Sequence, residues 1–301
     1  MEITVLILTR DEECHITRCL ESLTGFAHKI FIVDSGSKDN TVSLAKELGA
    51  EVVFRPWKNY ADQFQWAIDN CGARSGWLMR MDADEYLEPD LQRELKDLCN
   101  AGAPSELIAY YIRRKVFFYE KWIRYGGFYP HTLLRIWKSG QGKIEQRWMD
   151  EHIVVPEGAV TRTLNGHIVD DNQKGITFWI HKHNSYASRE MVDLLNRKYA
   201  FNELDDDLKK SDGSQAKWKR FFKDSVYVYL PLGFRATLYF LYRYVLRMGF
   251  LDGGKGFIWH FMQGFWYRLL VDVKLMEVER RSGGDPDKIK QLLRDDHGVE
   301  L

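Results

Sequence analysis

The chain has no net charge. Lys and Arg number 43 and so do Asp and Glu, over 301 residues. That balance excludes the basic footprint expected of a nucleic-acid binder. Cysteine is scarce: Cys14, Cys19, Cys71 and Cys99 all fall in the first third and form no CxxC or metal-type spacing. They read as free thiols of a reducing cytosol, not as a disulfide framework or zinc site. No stretch of about 20 apolar residues is free of charge, so a membrane-spanning helix is not expected. The opening "MEITVLILTRDEE" lacks a basic leader and turns acidic after six apolar residues, unlike a signal peptide. Internal repeats and low-complexity tracts are also missing.

The first hundred residues alternate. "ITVLIL" (Ile3 to Leu8), "KIFIVD", "AEVVFR" and "GWLMRM" are short apolar runs of strand length. Between and after them lie four helical segments. "EECHITRCLESL" gathers Ile16, Cys19, Leu20 and Leu23 on one face. "DNTVSLAKELG" has Asp39 or Asn40 as its cap and Gly49 as its stop, and "ADQFQWAIDNC" follows. "EPDLQRELKDLC" carries Pro89 in its first turn. Strand and helix at this pace predict a parallel α/β sheet. Arg80 interrupts the fourth strand without an evident partner. From Leu107 the text becomes α+β, with a hairpin expected around Ser139–Gly140 in "LLRIWKSGQGKI" and further strands in "HIVVPEG" and "TRTLNGHIV". After about Ser185 it reads as helical, interrupted by the polar linker "DDDLKKSDGSQ".

Three strands end in polar residues: Thr9-Arg10-Asp11-Glu12-Glu13, Asp34-Ser35-Gly36-Ser37-Lys38-Asp39, and Asp82-Ala83-Asp84-Glu85. Each alone reads as a turn or a helix start. Together they lie where parallel sheets bind ligands, beyond the carboxyl ends of the strands. Crowded carboxylates at that rim suit a hard divalent cation, Mg²⁺ or Mn²⁺, whose shell a diphosphate completes.

The motifs "LTRDEE", "VDSGSKDNT" and "MDADE" resemble those of the family 2 inverting glycosyltransferases, which have the GT-A fold with a Rossmann-like, mostly parallel central sheet. The resemblance runs from Ile3 to about Tyr199. "GGFYPHTLLRIWKSGQGKI", "RWMDEHIVV" and "HKHNSYASRE" resemble the subgroup of bacterial lipopolysaccharide-core and surface-polysaccharide transferases, including core β-1,4-glucosyltransferases. It implies that residues 1–100 bind the nucleotide sugar, 101–200 form the acceptor-binding and catalytic half, and 201–301 are an aromatic and basic helical extension. Thr9, Arg10 and Glu12 would line the base pocket. Asp34 would accept a hydrogen bond from a uracil or its equivalent. Asp82 would sit near ribose and metal, Asp84 would ligate the metal, and His167 would be an added metal ligand, with His181 next. Arg135 would orient the donor phosphates. Glu151, with Asp150 second, would be the base that deprotonates the acceptor hydroxyl as it attacks the anomeric carbon. Where the family often has an Arg facing the diphosphate, "NYADQFQWA" offers Gln63 and Gln65.

From Gln215 to Lys274 there are ten basic residues against three acidic ones, and 17 of the 42 aromatic residues of the chain. Such a mixture suits helices in a lipid headgroup layer. Packing on the catalytic domain, or a homo-oligomer interface, is the competing role. Because the implied acceptors are lipid-linked saccharides, the expected place is the cytoplasmic face of a bacterial inner membrane, with "GFLDGGKGF" as a turn between two helices. A sugar-nucleotide nucleotidyltransferase would share the sheet, but it usually opens with a Gly-rich loop, and "LTRDEE" has no glycine. A non-catalytic membrane scaffold of transferase descent is the remaining alternative. The intact D-x-D and "MDEH" weigh against it.

Overall fold

The computed structural model describes residues 1–145, 151–199, 201 and 233–297. It divides into two compact units, Met1–Lys174 and Gly175–Leu301. The expected boundary near residue 200 does not coincide with this division.

The first unit opens with the anticipated alternation: β1 (Ile3–Thr9), α1 (Glu13–Ser22), β2 (Ala27–Asp34), α2 (Thr41–Glu47), β3 (Glu51–Phe54), α3 (Tyr60–Asn70) and β4 (Trp77–Asp82). β5 (Glu85–Leu87) and α4 (Pro89–Ala101) follow at once, then β6 (Leu107–Phe118), β7 (Lys121–Ile123), β8 (His131–Lys138), β9 (Lys143–Ile144), β10 (Ile153–Val154) and β11 (Val160–Asp170). The main sheet runs β3-β2-β1-β4-β8-β6-β11-β5, with β7 on β6. Its β3-β2-β1-β4 half is parallel, as is β6 with β11, whereas β8 enters antiparallel between β4 and β6. The mostly parallel α/β sheet expected from the sequence is therefore present.

Its strands are apolar because both faces are covered. One face packs Ile3, Val5, Ile7, Met79 and Met81 against Ile16, Leu20 and Leu91; the other packs Leu6, Phe31, Val33 and Leu78 against Phe64, Ala67 and Trp137. Local signals set the helix starts. Asn59 Oδ1 accepts from the Asp62 amide at 2.8 Å, and Asp39 Oδ1 accepts from the Thr41 amide at 3.0 Å. Pro89 occupies the first turn of α4.

Two expectations need correction. No hairpin closes at Ser139–Gly140: β8 pairs with β4 and β6, and β9 pairs with β10 through Ile144↔Ile153. The helical region begins at Gly175, ten residues earlier than expected, with α5 (Gly175–Tyr199). "HKHNSYASRE" therefore lies inside a helix.

The second unit is helical. After α5 come α6 (Phe234–Leu241), continued by a wide π turn over Tyr242–Leu246, then α7 (Gly253–His260), a second π turn over Phe261–Trp266, α8 (Tyr267–Ser282) and α9 (Pro286–His297). Met191, Val192 and Leu195 of α5 pack against Val271, Leu275 and Val278 of α8 and Ile289 and Leu293 of α9. The polar linker expected at 205–215 and the tail up to residue 232 lie outside the described residues.

Candidate functional site

The carboxyl ends of β1, β2 and β4 lie side by side, since Thr9 is opposite Asp34 and Leu8 is opposite Asp82. The three polar strand ends therefore share one rim.

At the end of β2, Asp34 is buried and fully engaged. Its Oδ1 accepts from the amides of Gly36 and Ser37 at 2.8 and 2.9 Å; its Oδ2 accepts from Thr9 Oγ1 at 2.9 Å and Ser37 Oγ at 2.5 Å. A carboxylate has about four acceptor positions, so Asp34 shapes the turn, and an added base contact would have to displace one of these bonds. Gly36 takes φ +95°, a value that favours glycine. Arg10 is exposed. Glu12 Oε2 accepts from His15 Nδ1 at 2.7 Å and its Oε1 pairs with Lys174 Nζ at 2.6 Å. The Gln173 amide donates to His15 Nε2 at 2.8 Å, so the buried imidazole carries its proton on Nδ1.

At the end of β4, Asp82 sits among guanidinium groups. Arg80 Nε lies 3.6 Å from its Oδ1 and Arg135 Nη2 lies 3.5 Å from its Oδ2; Tyr60 donates its hydroxyl to Oδ1 at 3.1 Å. Burial opposes the ionised carboxylate, but Arg80, Arg135 and Arg114 outweigh it and hold Asp82 well below the usual carboxylate range. Glu85 is buried. It accepts from the Asp82 amide at 3.0 Å through Oε2 and from Arg135 Nη2 at 2.5 Å through Oε1. Burial raises its carboxyl, with Arg135 pulling the other way and Asp82 adding to the rise. Asp84 is half-buried and accepts from Asn172 Nδ2 at 2.9 Å, one bond to its carboxylate among the described residues.

Arg80, without a partner in the sequence, now has several. Its Nη1 donates to the Glu151 carbonyl at 2.8 Å, and the guanidinium lies over the rings of Tyr60 and Phe64 at 4.8 and 5.5 Å. Burial disfavours its charge, yet Tyr60, Asp82, Glu85 and Glu151 raise its pKa above the ordinary value. One guanidinium thus joins the backbone of the expected base to the D-x-D. Asp150 lies outside the described residues.

His167 is not assembled with Asp82 and Asp84. On β11 it neighbours the Glu88 region, because β11 runs antiparallel to β5 with Ile168↔Leu87 and Asp170↔Glu85. Its Nδ1 is 3.5 Å from Glu88 Oε2 and 3.7 Å from Asp90 Oδ2, and its Nε2 meets Tyr129 Oη at 2.8 Å. Glu88, Asp90 and His167 form the one group among the described residues whose ligand atoms all lie within 4.8 Å, but Glu88 is already neutralised by Lys115 Nζ at 2.6 Å. His167 is thus corrected from a ligand of the D-x-D metal to a neighbour of Glu88. His181 lies within α5.

The sequence reading missed the segment after β11. Asp171 pairs with Arg18 Nη1 at 2.6 Å, Asn172 reaches Asp84, Gln173 caps His15 and Lys174 reaches Glu12. Four successive residues stitch the ends of β1 and β4 together. Arg114 adds contacts to Asp170 at 3.4 Å and Glu85 at 3.9 Å. Gln63 is buried beneath the rim, accepting from Arg55 Nη1 at 2.7 Å, and Gln65 accepts from the Ile144 amide at 3.2 Å.

The donor set fits a hard cation. Asp84 has acceptor capacity left, and Mg²⁺ or Mn²⁺ needs only one or two carboxylates when diphosphate oxygens supply other positions. Asp82, neutralised by three guanidiniums, is the weaker ligand of the two. A phosphate could also approach Arg135, whose Nη1 is buried and accepted by no described atom.

Residues 4–154 match the family described as Glycosyl transferase family 2. The lipopolysaccharide core biosynthesis glycosyltransferase LpsC of Rhizobium meliloti is 29% identical over 198 residues, covering 62% of this chain and 70% of that protein. The uncharacterized glycosyltransferase RT0209 of Rickettsia typhi is 34% identical over 112 residues, 37% of this chain. The match spans 38% of that relative's length. Among solved structures, the mannosyltransferase PcManGT of Pyrobaculum calidifontis, in complex with GDP-Man and Mn²⁺, aligns over 91% of this chain and 87% of its own with a TM-score of 0.47 and 14% identity. The matched residues hold all three strand ends of the rim as well as Glu151, and on that match this chain belongs to glycosyl transferase family 2.

Proposed function

We propose that the chain is a metal-dependent inverting glycosyltransferase. It moves a hexose from a uridine-diphosphate donor to a lipid-linked saccharide in lipopolysaccharide or surface-polysaccharide biosynthesis. It works at the cytoplasmic face of the inner membrane. The reading is supported by family membership and by the similarity to a protein named for lipopolysaccharide core biosynthesis. The observation that carries it is Arg80, which touches both the Glu151 backbone and the Asp82 carboxylate.

The reaction is one displacement. The acceptor oxygen bonds to the anomeric carbon as the bond from that carbon to the diphosphate breaks, and the hydroxyl proton passes to Glu151, with Asp150 the second candidate. Asp84, with Asp82 beside it, would hold Mg²⁺ or Mn²⁺, which would supply positive charge against the departing diphosphate. Arg135 orients the phosphates while fixing Asp82 and Glu85. Thr9, Arg10, Glu12 and Asp34 form the nucleoside end, Asp34 acting through the turn it organises.

A thermal-shift panel tests the reading. Uridine diphosphate stabilises the protein only with Mn²⁺ present, and Asp84→Ala abolishes the shift. Glu151→Ala keeps the shift and loses transfer. Equal stabilisation without metal overturns it, and full turnover by the Glu151 variant moves the base to Asp150 or elsewhere.

A further inference from the structure

In the second unit, α6 with its π turn and α7 with its own form a helical hairpin. Phe240 on the first arm meets Phe257, Phe261 and Phe265 on the second, and Tyr244 meets Phe257 and His260. The hairpin carries its polarity inside out. Phe234, Leu238, Leu241, Tyr242, Val245 and Leu246 are all exposed, Leu246 to 73%. Their spacing puts them on one face of the first arm. In the connecting turn Met248, Phe250 and Leu251 are exposed as well. A helix face in water usually carries charge at such positions.

The charged groups go the other way. Between Gly233 and Val271 the sole acidic residue is Asp252, and it is buried in the turn with its Oδ2 2.9 Å from His260 Nε2. Two glycines make room for this pair. A Cβ on Gly256 would stand 2.2 Å from the Asp252 Cβ, and one on Gly249 would stand 2.9 Å from His260 Nε2. Among exposed positions from Phe234 to Phe261 the charged residues are Arg247 and Lys255, both basic.

We propose that this hairpin is a monotopic anchor that lies in one leaflet of an anionic phospholipid bilayer. Its exposed apolar residues enter the acyl region, and Arg247 and Lys255 reach the lipid phosphates. No described helix is long and apolar enough to cross a membrane, in keeping with an element that enters one leaflet and returns. A second copy of the chain is the poorer occupant. A two-fold contact through this face would set Arg247 and Lys255 against their own copies with no exposed acid on the hairpin to pair them. A bilayer bearing phosphatidylglycerol instead sets lipid phosphates against both basic residues. The assignment deepens the proposed action on a lipid-linked acceptor, but it stands on the hairpin alone.

The test is flotation of the full chain with phosphatidylcholine vesicles, with and without about 30 mol % phosphatidylglycerol. The wild type is expected to float, and more strongly with the anionic lipid. L246E/F250E is expected to lose partition roughly tenfold or more, and R247Q/K255Q to lose mainly the preference for anionic lipid. Circular dichroism and the Mn²⁺-dependent nucleotide shift serve as fold controls for both variants. If L246E/F250E floats like the wild type, the proposal falls. It also falls if the wild type stays in the aqueous fraction and sediments as a dimer that L246E/F250E dissociates. No sugar donor enters the flotation, so a chain that floats but transfers nothing sinks the transferase reading and leaves the anchor. A chain that transfers but does not float does the reverse.

Discussion

Each unit buries an arginine against a carboxylate, and the two pairs do different work. At the rim, Arg135 and Glu85 are 3% and 1% exposed, and both also hold Asp82: Arg135 through its carboxylate, Glu85 through its amide. In the helical unit, Arg235 and Asp272 are each 2% exposed, and Asp272 also accepts from the Gly233 amide at 3.0 Å. The first pair is wired to a half-exposed acidic rim, the second to a helix start. A buried ion pair is weak evidence for stability, because desolvation offsets much of its attraction. What separates the two is what each one positions.

The largest expected effect separates them by stability. Asp272→Ala removes the carboxylate buried against the Arg235 guanidinium and should cost about 3–5 kcal/mol. Replacing the whole pair, Arg235→Met with Asp272→Leu, should restore most of that loss. At the rim, Arg135→Met with Glu85→Leu should likewise recover thermal stability relative to either single change. It should not recover the Mn²⁺-dependent nucleotide shift, because Asp82 loses two of its supports, the Arg135 guanidinium and the Glu85 carboxylate. Thermal unfolding with and without nucleotide reads all five variants. If the rim pair can be replaced without loss of nucleotide binding, the contrast between the units disappears.

The next effect concerns Arg80, a positioning residue that acts through Glu151 and Asp82. Arg80→Leu should lower kcat on the order of a hundredfold with little change in donor KM, and Arg80→Lys should recover part of it. An equal loss in kcat and donor affinity would instead mark Arg80 as a general support of the rim. Smaller still is Asn172→Ala. It removes the partner that orients Asp84 and should weaken Mn²⁺ binding about tenfold, as read by metal titration of the nucleotide shift.

These residues differ in how far the sequence reveals them. β1 to β4 and α1 to α4 are legible because each apolar run has strand length, α1 shows an apolar face, and α3 and α4 begin at Asn59 and Pro89. The rim follows, since parallel strands bring their carboxyl ends together. The role of Arg80 is not legible, because its partner Glu151 is 71 residues away. Nor is the path of β8, whose neighbours β4 and β6 are chosen by long-range pairing and not by the Ser139–Gly140 turn. "DNQK" after β11 is a plain polar run, and only the fold aims its four stitching residues at Arg18, Asp84, His15 and Glu12. The early start of α5 is hidden for another reason. "GITFW" is rich in residues that favour strands, so its local preference points away from the helix it enters.

The smallest effect belongs to that same helix. His183 stacks on Trp179 at 3.5 Å and donates Nδ1–H to the Trp179 carbonyl at 2.8 Å. Burial holds its pKa down at about 4, with the carbonyl bond pulling the other way and Lys182 adding to the drop. Unfolded, the imidazole returns to about 6.5. Below that value the unfolded chain binds a proton that the folded helix refuses, so stability falls as pH drops from 6.5 toward 4 and levels off below. His183 is partly open to solvent, so the loss should be on the order of 1–2 kcal/mol. At the rim Asp82 stays ionised throughout that window, and Glu85, whose carboxyl burial pushes up to about 8, takes its proton more readily folded than unfolded, so neither group weakens the α/β unit on acidification. Acidification from pH 7 to 4.5 should therefore lower the melting point of the helical unit more than that of the α/β unit. His183→Gln, which keeps a side-chain donor without the titrating ring, should flatten the pH dependence of the helical unit. An unchanged slope in that variant would move the acid sensitivity to another group.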